Sequence, residues 1–335
     1  MPNIAMGESH FDFLFINDAL SSDEDHFSNL RNVESRYLFR RRSVEGYCSR
    51  LHEADSKIDW RYRVARWMLR VADDFLLRRD TAVIALNYLD RLMMNQSELL
   101  DRDQFQVSAI ACLFVASKIY QKRPLKIRQL VTYTKNAFQS EDILAMEQEL
   151  LRSHSSFFFP PTSSTFCSVL LSGIMSEPPA AVASVIESCQ FMSELAACDT
   201  FFVAHRASSI AVAAIVVTFE INSQISQDAV ARCLANIKAK IDYTTDADVL
   251  ACIDKLRSVH NHNAQRIKDM EEKSADDEVA KYTTDKEAYP NLSPRTATPS
   301  PTDPCQHNSD TTSSPPIIAD KGAYSSESRK RQRRL

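Results

Sequence analysis

Two stretches of this chain are apolar on every side of a helix. Val107, Ile110, Ala111, Phe114 and Val115 leave no polar face in the first, and Ser208, Ser209, Ile210, Ala211, Val212, Ala213, Ala214 and Ile215 are small and apolar all round in the second. A helix of that kind is stable only when other helices wrap it. Each stretch stands third in a run of segments with helical periodicity, and the two runs are separated by Phe157-Phe158-Phe159-Pro160-Pro161-Thr162, where the prolines disfavour helix. Five helices, a linker and five more, each set built on a buried third helix, predict an all-α chain of two tandem five-helix domains.

The periodicity places the elements. Trp60, Val64, Trp67, Met68, Val71 and Phe75 share one face, and Thr81 sits at the start of a helix through Val83, Leu86, Leu89 and Leu92. Asp103 is the expected cap of the third helix, Ile127 to Tyr133 form a short one, and Ser140 opens a fifth through Leu151. The second set reads as 164–171, 180–197, 206–221, 227–237 and 246 to about 270. Before them, residues 1–33 read as a mobile acidic arm and 34–56 as one N-terminal helix. The first domain then spans 57–155 and the second 156–272. From 273 to 335, Ser, Thr, Pro and Asp replace the hydrophobic periodicity, which predicts a disordered tail with a basic end.

Composition excludes several classes. With four glycines in 335 residues, Gly-rich phosphate loops and tight hairpins are disfavoured. A net charge of −4 supplies no basic excess for phosphate neutralisation, so no nucleic-acid partner is expected. The eight cysteines stand singly, without a CxxC pair, and read as free thiols in a reducing compartment. No charged leader followed by an apolar run opens the chain, and its most apolar stretch falls short of the about 20 residues a membrane helix needs. No catalytic residue, metal site or cofactor is expected: His154, His205 and the cysteines have no catalytic or metal-ligand spacing.

Four stretches, in order, resemble the cyclin box. Asp59-Trp60-Arg61-Tyr62-Arg63-Val64-Ala65-Arg66-Trp67-Met68 is similar to its first helix, and Leu86-Asn87-Tyr88-Leu89-Asp90-Arg91-Leu92 to its second-helix signature. Cys112-Leu113-Phe114-Val115-Ala116-Ser117-Lys118 resembles the third-helix motif, and Tyr133-Thr134 through Ser140 to Glu147 the approach to the fifth helix. The resemblance implies a non-catalytic regulatory subunit that forms a heterodimer with a cyclin-dependent protein kinase and activates it. It implies that Arg61 and Asp90 form a buried ion pair. It also implies that Lys118 and Glu147 meet the kinase, with Val115, Ile119 and Leu151 supplying apolar contact.

The chain also departs from the family. Trp60, Val64, Trp67 and Gln106 match parts of a substrate-docking patch, yet Arg63 stands where an apolar residue is expected and Arg70 where an acid is. The patch is therefore degenerate. Several segments lie nearer D-type than mitotic cyclins, but no Leu-x-Cys-x-Glu motif is present and the subtype stays open. A rival within the fold is a transcription factor or DNA-binding adaptor, which would use Arg61, Arg63, Arg66 and Arg70 as a basic stripe. In the tail, Ser293, Thr298, Ser300 and Ser314 precede prolines and are candidate phosphosites. Phosphorylation there would suit recognition by degradation machinery. Lys330, Arg331, Arg333 and Arg334 fit a nuclear-import signal, which predicts a nuclear protein that shuttles with the cytoplasm.

Overall fold

A computed structural model describes residues 23–54, 60–96, 101–154 and 158–284. Among these residues there are α-helices and short 3-10 turns and no strand. The first five-helix set is α3 (Trp60–Asp74), α4 (Asp80–Met94), α5 (Arg102–Tyr120), α6 (Ile127–Tyr133) and α7 (Ser140–His154). The second is α8 (Ser163–Leu170), α9 (Pro179–Cys198), α10 (Ala207–Ile221), α11 (Gln227–Lys240) and α12 (Ala247–Thr284). Two helices precede them, α1 (Asp23–Tyr37) and α2 (Arg41–Ala54).

Each set closes round its third helix. On α5 every residue from Phe105 to Ser117 is buried, and α4 and α7 pack along it. On α10 the buried run includes Ser208, Ser209 and Ala211 to Ile215, with α8, α9 and α12 against it. Each set has its own core, the first joined by Tyr47 of α2 and Cys198 of α9 and the second by Phe27 of α1. Thr162 ends the linker as the cap of α8, its hydroxyl accepting from the Thr165 N–H at 3.2 Å.

Three expectations need correction. Helix α1 begins inside the stretch read as a mobile arm. Phe27, Leu30 and Glu34 recur at three- and four-residue steps and dock on the second set, with the Phe27 ring edge-on to Phe166 at 5.9 Å. Burial against a distant element outweighs the polar composition. The expected single helix from Glu34 breaks at Leu38–Arg40, because Arg91 reaches in: its guanidinium donates to the Tyr37 carbonyl at 2.8 Å and lies 4.6 Å from the Phe39 ring centre. At the other end α12 runs on to Thr284, past the expected tail start at 273, through a segment that contains no Gly or Pro. Residues 1–22 and 285–335 lie outside the described residues. So do the four Ser/Thr-Pro sites, the basic end Lys330–Arg334 and Cys305.

One smaller difference concerns α5. Its cap is Asp101, which accepts from the Gln104 N–H at 3.1 Å, while Asp103 lies in the first turn and favours the helix dipole.

Candidate functional site

The site is built at the C-terminal end of α5 and along α7. Lys118 lies in the last turn of α5, where a cation is favoured by the helix dipole. Its Nζ meets Glu147 Oε1 of α7 at 2.6 Å and sits 3.9 Å from the Phe114 ring centre. At about 100° per residue, Leu144, Glu147 and Leu151 fall within about 60° of one another on α7. Leu144 and Leu151 are exposed, and so is Ile119 beside Lys118. One ion pair is thus framed by three solvent-facing aliphatic side chains.

Val115 does not belong to this surface. At 2 % exposure it is part of the first core, one turn inward of Lys118. Leu144 takes the place that sequence reasoning gave it; its apolar character was visible, but its outward direction was not. Phe159 was also missed. Treated in the sequence as linker, it is 65 % exposed and packs on Tyr120, ring centres 6.0 Å apart, at the residue that follows Ile119 in the chain.

Behind the surface lies a brace of buried charge. Arg61 of α3 forms a two-point contact with Asp90 of α4, Nε to Oδ1 at 2.8 Å and Nη2 to Oδ2 at 2.9 Å. Both residues are 3 % exposed. The Tyr47 hydroxyl of α2 donates to Asp90 Oδ1 at 3.0 Å, and Arg61 Nη1 donates to the Ala197 carbonyl of α9 at 2.9 Å. Burial opposes the Arg61 charge, but Asp90's charge and hydrogen bonds more than offset it, so the guanidinium is held even more firmly protonated than usual. Burial and then Asp90 push the Tyr47 hydroxyl far above its usual range, which keeps it a donor. Two helices of the first set, one of the second and the preceding α2 therefore converge on one pair.

The docking-patch residues are mostly inaccessible. Val64, Trp67 and Gln106 are buried, and Trp60 alone of the four is partly exposed. Among the described residues no group of three or more His, Cys, Asp or Glu side chains could hold a metal ion. Six of the seven described cysteines are buried; burial pushes the Cys233 thiol up to about 12 and Cys112 well above its usual value, far from nucleophilic. No helix among the described residues is long and apolar enough to cross a membrane. Between the two sets a cavity of about 130 Å³ is lined by Tyr37, Arg61, Pro161, Ser193 and Ile210 among others.

Comparison with known proteins decides the family. Residues 25–153 match the family described as "Cyclin, N-terminal domain" and residues 161–287 match "Cyclin, C-terminal domain". The chain belongs to the cyclin family. Its relatives include a G2/mitotic-specific cyclin-A of Patella vulgata, 31 % identical over 143 residues that cover 43 % of this chain and 32 % of that one. A G1/S-specific cyclin-D1 of Mus musculus is 29 % identical over 157 residues, covering 47 % of this chain and 52 % of that one. The chain thus spans a third to a half of the length of these curated relatives. Its A-type and D-type identities are nearly equal, so they do not divide the subtype. Among solved structures, a viral cyclin from herpesvirus saimiri superposes with a TM-score of 0.56 at 14 % identity, covering 70 % of this chain and 95 % of that one. At that identity the likeness is one of fold, and the fold it supports is the paired five-helix arrangement described above.

Proposed function

We propose that this cyclin is the activating, non-catalytic subunit of a cyclin-dependent Ser/Thr kinase controlling cell-cycle progression, and that it meets the kinase through the Lys118–Glu147 surface. The observation that carries the reading is the 2.6 Å ion pair set among exposed Ile119, Leu144 and Leu151. A surface ion pair contributes only about 0–1 kcal/mol to folding, and three uncovered aliphatic side chains round it add nothing to the monomer. Both make sense at an interface, where an apolar centre supplies association energy and charged groups set orientation.

The kinase chemistry explains why orientation matters. Phosphoryl transfer requires the glutamate of the kinase αC helix to pair with the lysine that holds the ATP phosphates. A rigid helical surface offering one cation and one anion can hydrogen-bond main-chain groups near that helix and hold it inward. Arg61 and Asp90 act behind the surface, fixing α3, α4 and α9 so that α5 and α7 keep their registration. In this reading the heterodimer is nuclear through Lys330, Arg331, Arg333 and Arg334. Phosphates on Ser293, Thr298, Ser300 and Ser314, each adding about −1.5 to −2 charge, mark the chain for degradation. The DNA-adaptor alternative is weakened because Arg61 is committed to Asp90 and lies inside the protein.

The test is co-expression with a panel of cyclin-dependent kinases, followed by copurification and phosphorylation of histone and retinoblastoma peptides. One kinase should copurify and gain activity, and K118A/E147A should lose both. Full activity in that double variant would refute the assignment.

A further inference from the structure

Helix α2 opens with the charge its dipole disfavours. Its first two residues are Arg41 and Arg42, Arg40 precedes them, and no acid stands in its first turn. Cations there face the positive end of the helix and its unbonded N–H groups, so each works against folding. Among the described residues Arg41 pairs with Glu45, at 3.0 Å and with both side chains largely exposed, while Arg40 and Arg42 pair with no carboxylate. Next in the chain is Ser43, the third residue of the helix. It is half-buried, and its hydroxyl makes no hydrogen bond to a described residue.

The order Arg40-Arg41-Arg42-Ser43-Val44 is a recognition pattern in its own right. A serine with arginines two and three residues before it and an aliphatic residue after it suits an arginine-directed protein kinase, whose carboxylates grip the guanidinium groups. A second run, Arg78-Arg79-Asp80-Thr81, has the same spacing, but there the parts are committed. Thr81 is 1 % exposed, its hydroxyl accepts from Gln121 at 2.5 Å, and Arg79 binds Asp73 and Glu194. Of the two runs, the first alone leaves its arginines and its hydroxyl available. To enter a kinase cleft, residues 40–44 must become extended, which opens the first turn of α2 and brings out buried Val44. That turn is weakly held. Leu38–Arg40 is already non-helical, and the Ser43 and Val44 N–H groups share one acceptor, the Arg40 carbonyl, at 2.8 and 3.1 Å.

We propose that Ser43 is a phosphorylation site for an arginine-directed kinase, and that its phosphate locks the start of α2. The γ-phosphoryl group passes from ATP to Ser43 Oγ, the bond to the ADP oxygen breaks, and the hydroxyl gives up its proton. The phosphate adds about −1.5 to −2 charge at the third helical position. There it meets the helix dipole, and the long Arg40 and Arg42 side chains can close on it. Glu45 lies about 160° round the helix, turned away from it. Because α2 carries Tyr47, which donates to Asp90, and Arg50, which donates to the Met93 carbonyl at 2.9 Å, a firmer α2 steadies the Arg61–Asp90 brace.

The full chain is incubated with ATP and the catalytic subunit of cyclic-AMP-dependent protein kinase, an arginine-directed probe, and mapped by peptide mass spectrometry. Phosphate should enter at Ser43 and leave Thr81 unmodified, and S43A should not take it up. R40Q/R41Q should be no less stable than wild type yet react about tenfold or more slowly. The phosphorylated chain should melt higher, with amide exchange from Val44 to Tyr47 slowed about fivefold. R42Q, which keeps both recognition arginines, should be phosphorylated normally and lose part of that gain. K118A/E147A should be phosphorylated like wild type, which separates this site from the kinase-facing one. The proposal is overturned if the folded chain is modified elsewhere and not at Ser43, or if Ser43 reacts only after heat unfolding. It is overturned too if the phosphorylated chain melts no higher than the unmodified one.

Discussion

Among its buried side chains α5 carries two aromatics, Phe105 and Phe114, beside small ones such as Ser108, Ala109 and Ala111; α10 buries no aromatic, its largest members being Ile215, Val212 and Val217 beside Ser208, Ser209, Ala211, Ala213 and Ala214. The two sets also differ in where they put charge. The first supplies both members of a buried ion pair, and through it ties α2 and α9 to its own α3 and α4. The second set buries single carboxylates whose partners come from outside it: Glu194 of α9 pairs with Arg79 at 2.8 Å, and Glu34 of α1 caps the start of α10, accepting from the Ser208 N–H at 2.7 Å and its hydroxyl at 2.9 Å; its Arg257–Glu220 pair lies at the surface. Small side chains let helices approach closely but fix their rotation weakly. A two-point charge contact fixes direction. The set that must present Lys118 and Glu147 in a defined orientation is the one with the interior brace.

The largest effect that would break this comparison is at Asp90. Asp90→Ala leaves Arg61 buried without its partner and should cost about 3–5 kcal/mol in denaturant unfolding. A cost close to zero would show that the brace fixes nothing. Next is the close packing round α10: Ala213→Leu should cost about 1–3 kcal/mol by overpacking, and an unchanged midpoint would mean that the second core has room to spare. Glu34→Ala removes a cap and should cost about 0.5–2 kcal/mol, with amide exchange rising first in the opening turn of α10.

A pH measurement sharpens the contrast at the junction between the sets. Asp80, at the start of α4, is pushed up to about 6, chiefly by burial. Its folded-state value lies above the unfolded one, so its protonation favours the folded state. That contribution is complete below about 4 and is lost as pH rises through about 6. His154, held down near 4 by burial, works the other way in the same range, losing stability as pH falls below its ordinary value. The difference between wild type and D80N isolates the first term: D80N should be the more stable at pH 7, and the gap should close on acidification towards pH 4.

Much of this was legible in the sequence, and the misses have physical reasons. Helix α6 was legible in place and extent, a short segment after the Pro124 break expected over Ile127 to Tyr133 and found there. Arg61, Asp90, Lys118 and Glu147 were legible as a pattern, and the structure brings each pair together. Burial was less legible. Val115 and Leu144 are both apolar and both close in sequence to a charged site residue, yet one is in the core and the other faces solvent. That choice is made by how α5 and α7 pack, not by local composition. Helix α1 was hidden for a related reason: Phe27, Leu30 and Glu34 are too sparse to signal a helix until Phe166 and Ser208, far along the chain, are there to receive them.

The smallest expected effect on folding is at the site itself. Lys118→Ala should change stability by about 0–1 kcal/mol, which frees it for the decisive experiment. Calorimetric titration of the full chain with the kinase that copurifies with it tests the central claim most directly. K118A/E147A should keep the wild-type melting temperature and bind at least about tenfold more weakly. A double variant that is equally folded and binds with unchanged affinity would contradict the account.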